Sequence, residues 1–425
     1  MEISNYRKRI LDDKIEHYLK LFGAVSIEGP KYCGKTWAGR HHSKSEILLQ
    51  RTTGRGGNNI ELAKISPSII LEGEKPKLID EWQEATNLWD EIRADVDRTG
   101  LKGQYILTGS STPNRKEISH SGAGRYGKIY LRTMSLYESG DSTGDISLEE
   151  LCKNKVTPKL TGEVDLRNLA RLIIRGGWPG NLNYSAKEST EAIKEYIDLI
   201  INDDLYRLDG VNRDKHKMKL LLKSLARNES TTVSNMTLKN DIKEIDNEDI
   251  DINTLSSYLN ALDKLYLLDN DEPFSTNIRS SIRVKQSEKR HFADPSISCA
   301  ILNLTEDKLI NDLKTFGFLF EAMVERDLKI YANSFNAKLY HYQDYQNREI
   351  DSIIELEDGN WCAIEIKLGV NQIEKAAKNL VQLKQSIDAE KGKAPSALCV
   401  ICGLSNSAYK REDEVCVVPI TALKP

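Results

Sequence analysis

Residues 29–36 read GPKYCGKT, and Gly29, Gly34, Lys35 and Thr36 meet the spacing G-x-x-x-x-G-K-[ST]. Positions without a Cβ let a loop turn its backbone N–H groups onto phosphate oxygens, and the helix that follows offers its N-terminal dipole to the same anion. Lys35, expected to be exposed in this loop, would reach the β- and γ-phosphates of a triphosphate such as ATP. The Thr36 hydroxyl would sit on Mg²⁺. Pro30, Lys31, Tyr32, Cys33 and Trp37 complete the binding stretch. Asp80, 45 residues after Lys35, would orient the Mg²⁺ through its water shell, and Glu81 would polarise the attacking water. The competing reading of this pair is a helix N-cap with a favourably placed acid.

Two further residues fall where they could serve this chemistry. Ser110 is the second-last residue of QYILTGSS, where polar side chains at the carboxyl end of a parallel strand face a ligand crevice. A capped strand end accounts for it equally well. Arg125, among the glycines of SGAGRYGK, would stabilise transition-state charge from a mobile loop; an exposed loop arginine is an equal reading.

A second set of acids lies near the other end of the chain. In AKLYHYQDYQNREIDSIIELEDGNWCAIEIKLG, period-two alternation puts Glu365 and Lys367 on one face of a strand. The EDGN turn makes a hairpin that can bring Asp351 beside them. Two carboxylates and a lysine in the pattern D…E-x-K are the core of restriction-type nucleases. The carboxylates would bind Mg²⁺ and polarise a scissile phosphate, and the lysine would activate water or stabilise the developing charge. Glu321, on the helix GFLFEAMVERDL, would add a further acid. The plain alternative is a salt-bridge stripe on a solvent-facing strand.

These side chains need particular elements under them. AVSI (24–27), KLID (77–80) and YILT (105–108) read as buried strands of a parallel sheet, and residues 1–137 as its domain. Residues 138–165, rich in Ser, Gly, Asp, Glu and Lys, read as an exposed connection that opens a linking segment over 138–210. Within it Ile193, Ile197, Ile200, Ile201 and Leu205 recur at helical steps. Over 211–300, helices are followed by two short strands, the order of a winged helix-turn-helix. Its recognition helix would expose Ser256, Ser257, Asn260 and Asp263, a face poor in cations. Arg279, Arg283, Lys285, Lys289 and Arg290 fall on the wing. Residues 301–425 read as an α/β domain with a strand meander and a helix over 371–386.

The chain of 425 residues is long enough for several cores. Its net charge of −4 argues against a globally basic nucleic-acid protein but leaves a local basic patch open. No apolar run approaches the ~18 residues that span a bilayer, and MEISNYRKRILDDK has no signal-peptide core, so a cytoplasmic protein with no membrane partner is expected. Seven cysteines forbid a complete disulfide framework. Cys399 and Cys402, in ALCVICGL, read as buried strand thiols rather than a zinc pair.

GPKYCGKT, LIDEWQ, ILTGSS and the GR before LRTMSLYE resemble a prokaryotic AAA-like P-loop ATPase family. Its members carry a winged-helix segment and a C-terminal domain of restriction-endonuclease (PD-(D/E)XK) type. RGGWPGNLN is similar to a GG-aromatic-P turn of that family. Trp82 departs from the isoleucine usual after the acid pair, and Tyr32 and Cys33 occupy variable positions. The resemblance implies an α/β protein that binds and hydrolyses ATP with Mg²⁺, has DNA as a partner, and cleaves phosphodiesters if the second site is active. The alternative is a nucleotide-dependent switch whose later domains bind a protein or nucleic acid without cutting it. A slow, purely structural triphosphate module is a third reading.

Overall fold

A computed structural model describes residues 6–50, 52–53, 57–112, 120–246, 250–275, 286–344, 348–389 and 393–425. The chain divides into two compact units. The first comprises residues 1–133, 203–213 and 260–267; the second comprises 134–202, 214–259 and 268–425.

In the first unit five short strands form an all-parallel sheet: β1 (Ala24–Glu28), β2 (Ser45–Leu48), β3 (Lys77–Asp80), β4 (Tyr105–Gly109) and β5 (Tyr126–Tyr130). Their order is β2-β3-β4-β1-β5. β1 leads through the phosphate loop into α2 (Lys35–His41), preceded in the chain by α1 (Asp12–Leu21). Val25, Ile27, Leu78 and Ile106 pack with Ala38 in one apolar cluster. Ala24, Ile79, Tyr105 and Leu107 pack in another with α3 (Asn87–Thr99). A sheet covered on both faces explains why these strands are continuous apolar runs rather than alternating ones. Trp82 lies in that second cluster, 2% exposed and with its ring 4.7 Å from that of Trp89. It is part of the core beneath the site and not of the site itself.

In the second unit seven strands form a mixed sheet. They are β6 (Lys159–Leu160), β7 (Lys338–Gln343), β8 (Glu349–Glu355), β9 (Trp361–Lys367), β10 (Ala397–Cys402), β11 (Ser407–Lys410) and β12 (Cys416–Pro419), in the order β7-β8-β9-β10-β12-β11-β6. β7, β8 and β9 form the antiparallel meander, with Gly359 at φ 72° in the second turn, a conformation that favours glycine. β9 and β10 are parallel, and α11 (Ile373–Ala389) crosses between them. Its Ile373, Ala376, Ala377, Leu380 and Leu383 pack on Trp361, Ala363, Leu398 and Val400.

Residues 138–165 are not an exposed connection throughout. Ile146–Ser147 pairs with Leu423–Lys424, and Leu148, Leu151 and Cys152 are buried. Four apolar side chains at helical and strand spacing outweigh the polar composition around them. α4 (Leu166–Arg175) and α5 (Ala186–Leu199) follow, and the helical periodicity of α5 continues through a π turn, Ile200–Asp204, into Leu205–Asp209. Then come α6 (Lys215–Arg227), α7 (Asn235–Asp246) and α8 (Ile252–Lys264). Leu255, Tyr258, Leu259 and Leu262 are buried on α8, while Ser256, Ser257, Asn260 and Asp263 are exposed. After α8 the chain pairs through isolated antiparallel bridges, Leu268 with Phe292 and Asp271 with Lys289. Arg279, Arg283 and Lys285 lie outside the described residues.

α9 (Pro295–Ile301) and α10 (Leu313–Ser334) complete the helices used below. α10 buries its expected stripe of Phe320, Met323, Val324 and Leu328. It also buries Glu325, Arg326, Asp327 and Lys329, which its pattern does not foreshadow. Buried charges persist only when paired. Arg326 donates to Asp294 at 3.0 Å and to Asp327 at 2.7 Å.

Candidate functional site

The phosphate loop takes a conformation that its residue types allow. Gly29 has φ 151° and Gly34 φ 102°, and a Cβ on Gly29 would stand 2.2 Å from the Leu131 carbonyl oxygen. Any other residue at Gly29 would push the loop off β5. The loop is held from below: Arg9 donates from Nη1 to the Cys33 carbonyl at 2.8 Å and from Nη2 to the Arg132 carbonyl at 2.9 Å. The Cys33 thiol donates to the Leu131 carbonyl at 3.2 Å and is fully buried, so Cys33 anchors the loop, while Tyr32 is 75% exposed. Lys31 pairs with Asp204 at 2.6 Å, and Trp37 lies half exposed on α2.

Lys35 is not exposed: it is 5% exposed, and its ammonium donates to the Pro30 carbonyl at 2.7 Å. As the first residue of α2 its side chain turns back under the loop, so the same wrapping that presents backbone N–H groups also covers its stem.

At the carboxyl end of β3, Asp80 Oδ1 accepts from Thr36 Oγ1 at 2.8 Å and from Thr108 Oγ1 at 2.5 Å. Burial holds the Asp80 carboxyl above its ordinary range, against these hydroxyls. Glu81 stands at φ 57°, and its N–H donates to Thr108 Oγ1 at 3.2 Å. Ser110 Oγ donates to Glu81 Oε2 at 2.7 Å, and Gln83 donates to the same oxygen. Thr36, Asp80, Glu81 and Ser110 therefore meet at the ends of β3 and β4, with Thr108 and Gln83 joining them. Thr108 is the second-last residue of its strand and faces the same crevice two positions before Ser110, a period-two signal the sequence carried. Gln83 had no such signal.

Arg125 does not join this group within the chain. It directly precedes β5, whose parallel register pairs Tyr126 with Ala24, so it lies at the amino ends of the strands. The phosphate loop follows Glu28 at the opposite end, about 16 Å away for five residues of strand. Its guanidinium instead pairs with Asp97 at 2.7 Å.

A cavity of about 300 Å³ in the first unit adjoins these residues, lined by Lys31, Gln83, Ser110, Thr112, Asp204 and Arg207 among others. It places residues of segment 203–213 beside those of the phosphate site.

The second group gathers at the end of the β8–β9 hairpin. Ser352 pairs with Ile364, which sets Asp351 opposite Glu365 on one face. Lys367 Nζ lies 2.8 Å from Asp351 Oδ2 and 2.6 Å from Glu365 Oε2, and the Ile366 N–H donates to Asp351 Oδ2 at 2.6 Å. Burial, then the neighbouring Asp351, pushes the Glu365 carboxyl up to about 7; that of Asp351 is lowered despite burial, chiefly by Lys367. This is no exposed stripe, because Glu365 is 2% exposed.

Glu321 does not meet the pair directly. It accepts from Lys289 Nζ, which also donates to Glu325 at 2.8 Å and to the Asp351 carbonyl at 3.1 Å. Burial pushes the Glu321 carboxyl up to about 8. Lys289 is 2% exposed, so it is not a cation on the outside of a wing. Arg290 donates to Asn235 at 2.8 Å. No local pattern supplies Lys289 with a partner, because the acids that hold it lie 32 and 36 residues away. Cys399 and Cys402 are buried thiols of β10.

Residues 22–140 match the AAA domain family. Residues 166–308 and 316–423 match two domains of unknown function, DUF8612 and DUF4143. Uncharacterized proteins of Mycobacterium bovis and Mycobacterium tuberculosis are each 24% identical over 347 residues, covering 81% of this chain and 70% of theirs. Among solved structures, a Walker-type ATPase of Pyrococcus abyssi aligns at a TM-score of 0.44 and 15% identity, over 71% of this chain and 97% of that one. The RuvB Holliday junction branch migration motor of Thermotoga maritima aligns at 0.27 and 16% identity, over 61% and 88%. Among the described residues no helix is long and apolar enough to cross a membrane. The family match falls on the parallel sheet and its glycine loop, and residues 22–140 are an AAA-like domain.

Proposed function

We propose that the protein hydrolyses ATP in its first unit and binds DNA through its second, with the Asp351–Glu365–Lys367 group cleaving phosphodiesters. The observation that supports the ATPase reading best is the pair of threonine hydroxyls, Thr36 and Thr108, converging on Asp80 beside Glu81. Thr36 and Asp80 fit a Mg²⁺ ion, since both offer oxygen and their oxygens already lie 2.8 Å apart. A bound Mg²⁺ would neutralise charge on the phosphates. Loop N–H groups and Lys35 bind the triphosphate, and Glu81, oriented by Ser110, takes a proton from water. Arg125 acts on this site only from another copy of the chain.

For the second unit the reading is a winged helix-turn-helix over 211–300 and a PD-(D/E)XK nuclease-like domain over 301–425, joined to the ATPase domain (1–137) by 138–210. Asp351 and Glu365 offer Mg²⁺ carboxylate oxygens on one face, with Glu321 in support, and Lys367 stands where it can stabilise charge on a phosphate. One observation favours the alternative of a nucleotide-dependent switch that binds DNA or a protein without cutting. Lys289 and Lys367 already neutralise Glu321, Asp351 and Glu365.

Two experiments test the proposal. In a calorimetric ATP titration Lys35→Ala should lose about 10- to 100-fold in affinity, the 1.5–3 kcal/mol of a charged hydrogen bond. Unchanged affinity would remove the phosphate-loop assignment. Plasmid and single-strand substrates incubated with Mg²⁺ or Mn²⁺, with and without ATP, should be cut by the wild type and not by Lys367→Ala. No cutting under any of these conditions decides for the switch.

A further inference from the structure

His291 lies between two carboxylates that neither the phosphate site nor the Asp351 group uses. Its Nε2 is 3.0 Å from Glu325 Oε2 and 3.4 Å from Asp271 Oδ2. All three residues are buried, at 4%, 0% and 2% exposure. Among the described residues these three atoms make no well-aligned hydrogen bond and face one another.

The other atom of each group is fully engaged. Asp271 Oδ1 takes the Lys329 ammonium at 2.6 Å. Glu325 Oε1 takes Lys289 at 2.8 Å and the Ser352 hydroxyl at 2.9 Å. His291 Nδ1 stands 3.1 Å from Glu229 Oε1, and Glu229 is itself fixed by the Ser298 hydroxyl and the Phe292 N–H. Each side chain is thus oriented from behind, and each turns one ligand-type atom to within 4.8 Å of the other two.

The spacing is that of ligands sharing an ion. Donors held about 2.0–2.2 Å from a divalent metal lie about 2.8–3.6 Å apart at octahedral or tetrahedral angles, a range that contains both distances from His291. A carboxylate behind the second ring nitrogen is the usual support of a metal-bound imidazole, because it fixes the tautomer that leaves the other nitrogen free to ligate. Charge agrees. The carboxylates of Glu229, Asp271 and Glu325 outnumber the ammonium groups of Lys289 and Lys329 that face them, so added positive charge at His291 is favoured. One imidazole with two carboxylates suits a first-row divalent ion such as Zn²⁺.

We infer that Asp271, His291 and Glu325 form a buried structural site for a divalent transition-metal ion, with Glu229 as the residue that positions His291. The ion ties the bridged segment after α8 to α10. It is independent of any Mg²⁺ at Asp351 and Glu365, and of whether DNA is cut.

Because the site is enclosed, the ion enters during folding. The full chain is therefore unfolded with a chelator, refolded with Zn²⁺, desalted and measured by mass spectrometry. About one ion per chain is expected, falling below a tenth of that in His291→Gln and Asp271→Asn, and remaining in Glu365→Gln. Glu229→Gln should weaken binding about 10- to 100-fold. Should the His291 variant fail to fold, refolding the wild type with Co²⁺ decides: one of the seven histidines should show a paramagnetically shifted imidazole N–H signal. The inference is overturned by no ion retained, by retention unchanged in His291→Gln and Asp271→Asn, by loss in Glu365→Gln instead, or by no shifted imidazole.

Discussion

The two acid clusters are held by opposite means. In the first unit Asp80 and Glu81 are positioned by the hydroxyls of Thr36, Thr108 and Ser110 and by an amide from Gln83. In the second, Asp351, Glu365 and Glu321 are positioned by the ammonium groups of Lys367 and Lys289. A hydroxyl fixes a carboxylate's direction and leaves its charge in place for a cation. A lysine fixes the direction and cancels the charge. The first arrangement is ready for a metal and its phosphates; the second must exchange one cation for another before it can act. Stability should therefore depend on the second cluster and turnover on the first.

The largest effect that would break this contrast is on turnover. Glu81→Gln should keep ATP binding and slow steady-state hydrolysis about 100- to 10,000-fold, the range for losing a positioned base. Unaltered hydrolysis would show that the hydroxyl-held acids are not the working ones. Next comes stability. Lys367→Ala leaves two buried carboxylates without their shared cation and should cost about 3 kcal/mol in denaturant unfolding. A cost within the surface range would mean that the cluster opens to water.

Acid should sharpen the contrast further. Burial, then the charge of nearby Lys289, lowers the His341 imidazole to about 4 from its ordinary value of 6.5. The unfolded chain takes up this proton below 6.5 while the folded chain does not until about 4. Stability from His341 is therefore present above 6.5 and lost as pH falls towards 4, by about 3 kcal/mol. Comparing unfolding at pH 7.5 and 5, His341→Gln should lose distinctly less than the wild type; equal losses would refute the assignment. The smallest effect belongs to Arg125→Ala. An exposed pair with Asp97 contributes about 0.2–1 kcal/mol, and ATP affinity measured on the single chain should not change. A large loss there would place Arg125 against the phosphates after all.

How much of this the sequence carried follows the range of the interactions. Gly29 to Thr36 was legible because every residue that shapes the loop is local. Asp351, Glu365 and Lys367 were legible because period two and one hairpin place them. Lys289 was misread as an outer cation because its partners, Glu321 and Glu325, come from a helix beyond another element. No local pattern marks His291, for the same reason: Glu229 and Glu325 stand 96 residues apart, with Asp271 between them. The polar stretch 138–165 concealed Ile146, Leu148, Leu151 and Cys152 because composition averages over residues that packing selects singly. The two readings of Arg125 could not be told apart, because glycines around an arginine say nothing about which end of the sheet carries it.

The hold of Arg9 on the phosphate loop reaches into practice. The guanidinium that shapes Cys33 from below belongs to a residue ahead of the first helix, far from anything a motif would protect. Shortening the protein by a dozen residues at its amino end, as is routine when a tidier domain is wanted for crystals, would leave every loop residue in place and remove the strut beneath them. A loss of nucleotide affinity in such a trimmed protein would then be blamed on the motif, when the fault lay in the choice of where to start.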